Sequence, residues 1–452
     1  MALSKLKLEE QIKFKLNKYR IIPNQLKKPF FLVAFLFALW GFANAITDPM
    51  VQAFKKVLEL SNSEAAWVQM AFYGGYFSMA LPAALFIRKY DYKKGILVGL
   101  ALYSIGSLIF YPATTTQEFW FFCLGLYIIT FGLAFLETTA NPYILSMGNP
   151  KYAIQRLNLA QFFNPLGLLL GLFVAQQFIL KNLQSDNIVD FSSLDLNTKL
   201  LIKTSDLLII RNPYVILGLF VMFLFFVILI TRMPESKDSD GLLINKIFSK
   251  LINNKNYILG VLAQTFYVGA QIMCWTYIYQ YSENLSISST KAANFQFIAF
   301  ILFFAGRGLG TYSLKFIKAE KLIYISSIFA CLFTCGVIFI NNEFGLYSLV
   351  IVSFFMSVMF PTIYGLSLKG LTAEESKLGA AGLVMAIVGG AIMPKIQGLI
   401  IDIGGNNVDD INIIGLTEIN LSFILPLLCF FYILNYSIII KKNEKNLLHI
   451  KS

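Results

Sequence analysis

Residues 119–147 read FWFFCLGLYIITFGLAFLETTANPYILSM, and a single carboxyl group, that of Glu137, interrupts this apolar run. A helix needs about 20 mostly apolar residues to cross the hydrocarbon core of a bilayer. Eighteen uncharged residues separate Glu118 from Glu137, so the stretch is long enough to cross and places one carboxyl group deep inside. The pattern predicts a transmembrane helix that carries a functional acid.

The composition of the whole chain agrees with this prediction. Of 452 residues, 57% are hydrophobic, 15% aromatic and only 14% charged, and the mean hydropathy is +0.66. A soluble domain has about 25% charged residues. These values exclude a disordered chain, a secreted disulfide scaffold and an ordinary soluble enzyme, and they predict an all-α polytopic membrane protein.

Twelve apolar runs are long enough to be transmembrane helices. Six precede a polar segment, 232–256, and six follow it, which is typical of a transporter with two parallel repeats. We predict an N-terminal tail 1–29, a first bundle 30–231, a linker 232–256, a second bundle 257–440 and a C-terminal tail 441–452. The predicted spans are 30–52, 65–87, 95–112, 119–147, 156–180, 213–231, 257–282, 291–314, 322–340, 346–368, 378–401 and 419–440.

The positions of the basic residues predict the orientation. With the N-terminus inside, 28 of the 37 Lys and Arg fall in inner segments and 7 in outer loops. Cytoplasmic loops are enriched in Lys and Arg. We therefore expect a plasma (inner) membrane protein with both termini cytoplasmic and a long outer loop at 181–212.

Other classes of site lack support in the sequence. The basic residues form no stripe of the kind that binds nucleic acid, so no nucleic-acid partner is expected. The five cysteines lie inside apolar runs, and there is no P-loop, HExxH, GxSxG or CxxC motif. We expect no enzyme activity, no metal and no cofactor. The only histidine, His449, is the fourth residue from the end, so a proton relay inside the membrane must use carboxyl groups.

Two carboxyl groups lie within the predicted spans. Ionisable groups in hydrocarbon are costly and indicate a function or a partner. Asp48 shares a helix face with Trp40 and Asn44 and precedes Pro49. Glu137 lies deeper, with Asn141 one turn away, and can hold a proton or accept a hydroxyl group.

Two basic residues also lie within spans. Arg307 is flanked by glycines that permit close helix approach, and we predict an inter-helix contact that holds one conformation; snorkelling to the inner surface is the alternative. Lys395 follows Pro394, and its sequence leaves cavity-facing and snorkelling positions equally open.

Amides and aromatic rings recur at helical spacing on two further spans. Gln161 and Asn164 precede Pro165, and a second stripe joins Gln264, Tyr267, Gln271 and Trp275. Amides bond hydroxyl groups and rings cover the C–H face of a sugar, so the pattern favours a polyhydroxylated ligand; inter-helix hydrogen bonding is the alternative.

These motifs, taken in order, resemble the fucose–proton symporter family of the major facilitator superfamily. The resemblance covers nearly the whole chain. It is carried by ALWGFANAITDP (38–49), FYGGYF (72–77), LETTANPY (136–143), RLNLAQFFN (156–164), LAQTFYVGAQIMCW (262–275) and FFAGRGLGTY (303–312).

The resemblance implies the major facilitator fold, with twelve helices in two six-helix bundles, alternating access, and uptake of a monosaccharide with a proton. We expect the monomer to be the functional unit. It assigns proton coupling to Asp48 and Glu137, and sugar contacts to Gln161 and Asn164. Related glucose/galactose-type carriers tend to lack an acid at one or both coupling positions, so the presence of both favours the fucose-like branch.

Two departures from the L-fucose pattern bear on the substrate. Ala45 follows Asn44 where those permeases have a second Asn, and Phe360 precedes Pro361 where they have Tyr. A sodium-coupled or facilitative hexose carrier on the same fold is therefore an alternative, and a non-transporting sugar sensor is an alternative from another class. A drug–proton antiporter is disfavoured by the amides.

Overall fold

A computed structural model describes residues 20–58, 62–187, 194–234, 244–403, 412–413 and 415–449. Most of the predicted N-terminal tail, part of the outer loop, part of the central linker and the last residues lie outside these ranges. The backbone of Asp48 is helical, but its side chain lies outside the described part of the chain.

The described chain is almost entirely helical. Its α-helices, numbered in chain order, are α1 (Lys27–Val57), α2 (Asn62–Lys89), α3 (Tyr92–Leu108), α4 (Phe110–Thr116), α5 (Phe119–Ser146), α6 (Ala153–Gln161), α7 (Phe163–Val174), α8 (Leu196–Ile230), α9 (Ile244–Asn253), α10 (Lys255–Thr276), α11 (Ile278–Asn284), α12 (Ser289–Ser313), α13 (Ala319–Phe339), α14 (Glu343–Met356), α15 (Met359–Ser367), α16 (Ala373–Met385), α17 (Gly389–Ile401), α18 (Glu418–Ser422) and α19 (Ile424–His449). Two short strands, β1 (Asn412–Ile413) and β2 (Leu416–Thr417), pair antiparallel, with Asn412 opposite Thr417.

Single-turn segments join some of these helices. They are 3-10 turns at Asn24–Leu26, Pro150–Tyr152, Leu180–Asn182, Gln184–Asn187 and Ala386–Val388, and a π-helical turn at Ala175–Ile179.

Eleven segments of the described residues are long and apolar enough to cross a membrane. Each overlaps one of the predicted spans, and the remaining span, 65–87, is helical within α2. The predicted spans 156–180 and 378–401 are each built from two helices, α6–α7 and α16–α17, with a local break between them.

The predicted outer loop 181–212 is partly wrong. Helix α8 begins at Leu196, with Asp195 as its N-cap, so residues 196–212 belong to a 35-residue helix. A helix of this length extends about 50 Å, well beyond the hydrocarbon core. Lys199, Lys203 and Asp206 lie on the extension, and because they lower its hydropathy the sequence suggested a loop.

Small residues bring helices of the same half into close contact. On α5, a Cβ atom added to Gly132 would lie 2.5 Å from both the carbonyl oxygen of Gly99 and the backbone nitrogen of Tyr103 on α3. Any larger residue would push the two helices apart. In the second half, α10 packs against α17 and α19, and α13 packs against α14.

The two halves meet through a small number of helices. Helix α2 packs against α16, α6 packs against α15, and α12 packs against α6 and α7. We call the membrane side on which α1 begins the N-terminal side. There, Arg88 Nε at the end of α2 lies 2.7 Å from Glu374 Oε2 at the start of α16, and Glu374 also accepts a bond from Lys377.

The polar segment between the halves contains an additional helix. Helix α9 packs against α10 and α16, with Ile247 and Leu251 buried. Lys250 Nζ lies 2.5 Å from Glu375 Oε1, which ties α9 to the start of α16.

Candidate functional site

The carboxyl group of Glu137 lies in the interior of the first half. Glu137 and Asn141 are one turn apart on α5 and are 2% and 0% exposed. Asn141 Nδ2 donates to Glu137 Oε2 at 2.5 Å and to the Glu137 backbone oxygen at 2.9 Å. The spacing of four residues thus places the amide on the acid, as the sequence predicts.

A chain of hydrogen bonds leads from Glu137 into the second half. Gln161 Nε2, at the end of α6, donates to Asn141 Oδ1 at 2.7 Å. Arg307 Nη1, on α12, donates to the Gln161 backbone oxygen at 3.1 Å and to Gln161 Oε1 at 3.3 Å. We call Glu137, Asn141, Gln161 and Arg307 the central relay. It connects an acid of one half to a cation of the other without a direct ion pair.

Arg307 is held in the interior rather than at a surface. It is 2% exposed, and its guanidinium lies 4.9 Å from the centre of the Phe303 ring. Arg307 therefore does not snorkel to the inner surface in this structure. Lys395, in contrast, is exposed on α17.

A small cavity lies between the halves next to the relay. Its volume is about 20 Å³, which holds about one water molecule. The aromatic and amide side chains that line it are those of Trp40, Asn44, Phe72, Tyr73, Tyr76, Gln271 and Phe360. Since a monosaccharide is far larger than one water molecule, the centre is closed in this conformation.

Aromatic rings form a continuous wall around Phe360. Its ring centre lies 6.3 Å from that of Trp40, 6.1 Å from that of Tyr267 and 6.3 Å from that of Tyr364. Rings at these distances interact favourably, and together they present a broad apolar face with polar tips.

Several polar atoms near this wall have no hydrogen-bond partner among the described residues. They are both amide atoms of Gln264, the hydroxyl groups of Tyr267 and Tyr364, and Nε of Arg307. All four residues are at most 2% exposed. An unpartnered buried polar group costs about 1–3 kcal/mol, so these atoms favour binding a ligand with several hydroxyl groups.

Some of the predicted site residues lie apart from the relay. Asn164 Nδ2 donates to the backbone oxygen of Phe37 at 3.4 Å, at the contact of α7 with α1. Trp275 Nε1 donates to Ser353 Oγ at 3.2 Å inside the second half. The cavity does include Trp40, Asn44 and Gln271 from the predicted set.

The cavity also includes residues that the sequence analysis did not select. Tyr73 and Tyr76 on α2 line it, and Tyr364 on α15 closes the aromatic wall. The signal for the first two was the FYGGYF motif, in which positions three or four apart share a helix face. Tyr364 was not selected, because it lies on α15, a short helix that begins at Met359 after the break at Ser357 and Val358.

Comparison with known proteins identifies the family. The family model described as Major Facilitator Superfamily matches residues 30–399. The L-fucose-proton symporter of Haemophilus influenzae is 51% identical over 425 residues, covering 92% of this chain and 97% of that protein. The L-fucose-proton symporter of Escherichia coli is 34% identical and covers 84% of this chain and 88% of that protein.

The structural comparison agrees. A crystal structure of FucP from the same superfamily, in the outward conformation, has a TM-score of 0.81 at 32% identity and covers 91% of this chain and 98% of that one. The chain therefore belongs to the major facilitator superfamily and, within it, to the fucose:proton symporter family.

Proposed function

We propose that the chain imports L-fucose or a similar neutral monosaccharide together with a proton, by alternating access. The observation that carries this proposal is the central relay, which joins the buried acid Glu137 to Arg307 of the other half beside an aromatic, amide-lined cavity. The H. influenzae relative, named for L-fucose and proton symport, supports the same substrate and ion.

The sugar would bind where the unpartnered groups and the aromatic wall meet. Its hydroxyl groups would bond Gln264, Tyr267 and Tyr364, and the rings of Trp40 and Phe360 would cover its C–H face. Because the cavity now holds about one water molecule, the halves must separate at one side before the sugar can enter.

Coupling follows from the cost of burying charge. Among the described residues, an ionised Glu137 in the closed centre has one amide donor and no direct cation, and a buried, poorly paired charge is unfavourable. The empty, deprotonated carrier would therefore change conformation slowly. Protonation removes the charge, and the loaded carrier can then reorient.

Asp48 is the proposed entry point for the proton. Its place on α1 near the membrane surface opposite the N-terminal side comes from the sequence. There it would load and release the proton while Glu137 alternates between proton and sugar contact.

We further propose that the N-terminal side faces the cytoplasm, that the membrane is the plasma (inner) membrane and that the monomer is the working unit. The excess of Lys and Arg on that side supports this orientation. Labelling of single cysteines at positions on either side, in intact cells, tests it.

Uptake of labelled L-fucose into proteoliposomes tests the function. Under an imposed inward proton gradient we expect accumulation that a protonophore abolishes. Uptake that depends on sodium, or that only equilibrates, would support the hexose-carrier alternative. Saturable sugar binding with no movement across the membrane would support the sensor.

A further inference from the structure

A second and much larger cavity lies between the halves at the N-terminal side. Its volume is about 710 Å³, within the range of sites for small molecules. The first half contributes the turn that leads into α6, and the second half contributes the segments before α13 and before α16. Neither the central relay nor the aromatic wall is part of it.

The charge of this cavity is strongly positive. Four lysines line it, Lys151, Lys315, Lys318 and Lys369, against one acid, Glu320. Lys369 Nζ lies 2.9 Å from Glu320 Oε1. By count, the lining residues carry three more positive than negative charges. Lys151 belongs to the first half, and Lys315 and Lys318 belong to the second.

Helix α13 of the second half also begins at this cavity. Its N-cap residue is Lys318, whose side chain does not cap the helix. Helix α6 continues from the 3-10 turn Pro150–Tyr152, and the Ala153 N–H at its start donates to the Pro150 oxygen. Helix α16, which begins at the same cavity, is capped by Thr372 in a capping box with Glu375. Uncapped helix N-termini present backbone N–H groups and a partial positive charge, both of which favour an anion.

From the cavity, its lysines and the start of α13 together, we propose that this space binds a water-borne small molecule that carries a phosphate group. Lys151 would hold the anion from one side, and Lys315, Lys318 and the first turn of α13 from the other. The floor of the cavity includes Tyr92 and Leu368, which are buried between the halves, so the space leads into the protein rather than along a lipid-facing groove.

An anion in this position would hold the two halves together on the N-terminal side. Gln155, in the cavity wall, already donates across the halves to the Thr311 backbone oxygen at 3.2 Å. A ligand that contacts both halves binds only the conformation in which they are close. It would therefore slow every cycle that requires this side to open.

Binding is measured without transport, so this inference does not depend on the transported substrate. The purified chain in maltoside micelles is titrated calorimetrically with glucose 6-phosphate, inorganic phosphate and unphosphorylated glucose. We expect saturable binding of the first two, weakened by added salt. The double variant Lys151→Gln/Lys315→Gln should bind about tenfold more weakly, because charge-assisted bonds to phosphate are lost.

Lys321→Gln is the matched control. Lys321 is exposed on α13, one turn from Lys318, and is not part of the cavity wall. The Lys321→Gln variant should bind glucose 6-phosphate and inorganic phosphate as tightly as the unmodified chain does. Lys151 and Lys315 are also exposed, so their replacement should leave the melting temperature unchanged. Lys318→Gln provides a separate variant of the same site.

Three outcomes would overturn the proposal. One is the absence of saturable binding of either phosphate compound. Another is equal binding by the double variant and Lys321→Gln, which would mean that the lysines only set the membrane topology. The third is binding of dihexanoyl phosphatidylglycerol but not of glucose 6-phosphate, which would assign the cavity to a lipid headgroup.

Discussion

Arg307 binds the backbone oxygen of Gln161 at 3.1 Å, and that oxygen is available because Pro165 stands four residues later. In a regular helix the N–H of residue 165 would bond the carbonyl of residue 161, but proline has no N–H. The proline thus opens an acceptor on the first half for a cation of the second. A break in one helix creates the contact between the two bundles.

Replacing Pro165 with Ala should weaken this contact. The new N–H would compete with Arg307 for the Gln161 oxygen, and the helix would become more regular. We expect transport to fall by about threefold to tenfold, since a hydrogen bond to a charged group contributes about 1.5–3 kcal/mol, only part of which is lost. The fall in transport is measured from the initial rates of sugar uptake and of sugar exchange.

Pro213→Ala is the control for this prediction, since Pro213 lies inside α8, away from the relay. It should leave the transport rate unchanged. Equal effects of the two substitutions would show that proline as such, rather than the freed oxygen, matters.

Replacing Arg307 with Gln should be more severe. The relay loses its cation, and Gln161 loses both bonds from the second half. We expect uptake and exchange to fall more than tenfold while the protein still folds. Arg211→Gln, at a half-buried arginine on α8 that lies over the Tyr111 ring and away from the relay, is the matched control. Unchanged exchange in Arg307→Gln would contradict a role for the relay in conformational change.

The sequence predicted some parts of this site better than others. Glu137 and Asn141 lie on one continuous helix, so their spacing was enough to place them together. Gln161 and Asn164 do not, because α6 ends at Gln161 and α7 begins at Phe163; one amide joins the relay and the other contacts α1. Residues three or four positions apart do not share a helix face when a break between two helices lies between them.

An inter-helix contact was predicted for Arg307, but the partners in the contacts between the halves could not be predicted. Arg307 and Gln161 are 146 residues apart, and Phe360 and Trp40 lie in different bundles. Apolar runs give the number of helices and approximate ends, but how the helices pack depends on the shapes of many side chains at once. The helical extension at 196–212 was missed because hydropathy measures membrane burial and not helicity.

Replacing Glu137 with Gln should separate coupling from exchange. The amide imitates a permanently protonated acid, so the change of conformation of the empty carrier no longer includes the free-energy cost of burying a charge. We expect proton-driven accumulation to be lost and sugar exchange to remain, with little dependence on pH. The measurement is uptake with and without a pH gradient, alongside counterflow.

Glu343→Gln is the control for the Glu137 variant, because Glu343 is exposed and bonds only Tyr347 among the described residues. It should retain both activities. Accumulation by Glu137→Gln equal to that of the unmodified chain would refute the assignment of this acid to coupling.

Replacing Tyr267 with Phe should have opposite effects on stability and on sugar binding. The hydroxyl group of Tyr267 is fully buried and has no partner among the described residues, so its removal should stabilise the empty protein and raise the melting temperature. The same hydroxyl group should bond the sugar, so its removal should raise the KM, by about threefold to tenfold for a bond of about 1 kcal/mol.

Tyr281→Phe is the control for which the opposite result is expected. Its hydroxyl group is equally buried but donates to the backbone oxygens of Val337 and Ile340, so its loss should lower the melting temperature and leave the KM unchanged. Only a group kept unpaired for a ligand should show the first pattern, and a lower melting temperature with unchanged KM in Tyr267→Phe would place the sugar elsewhere.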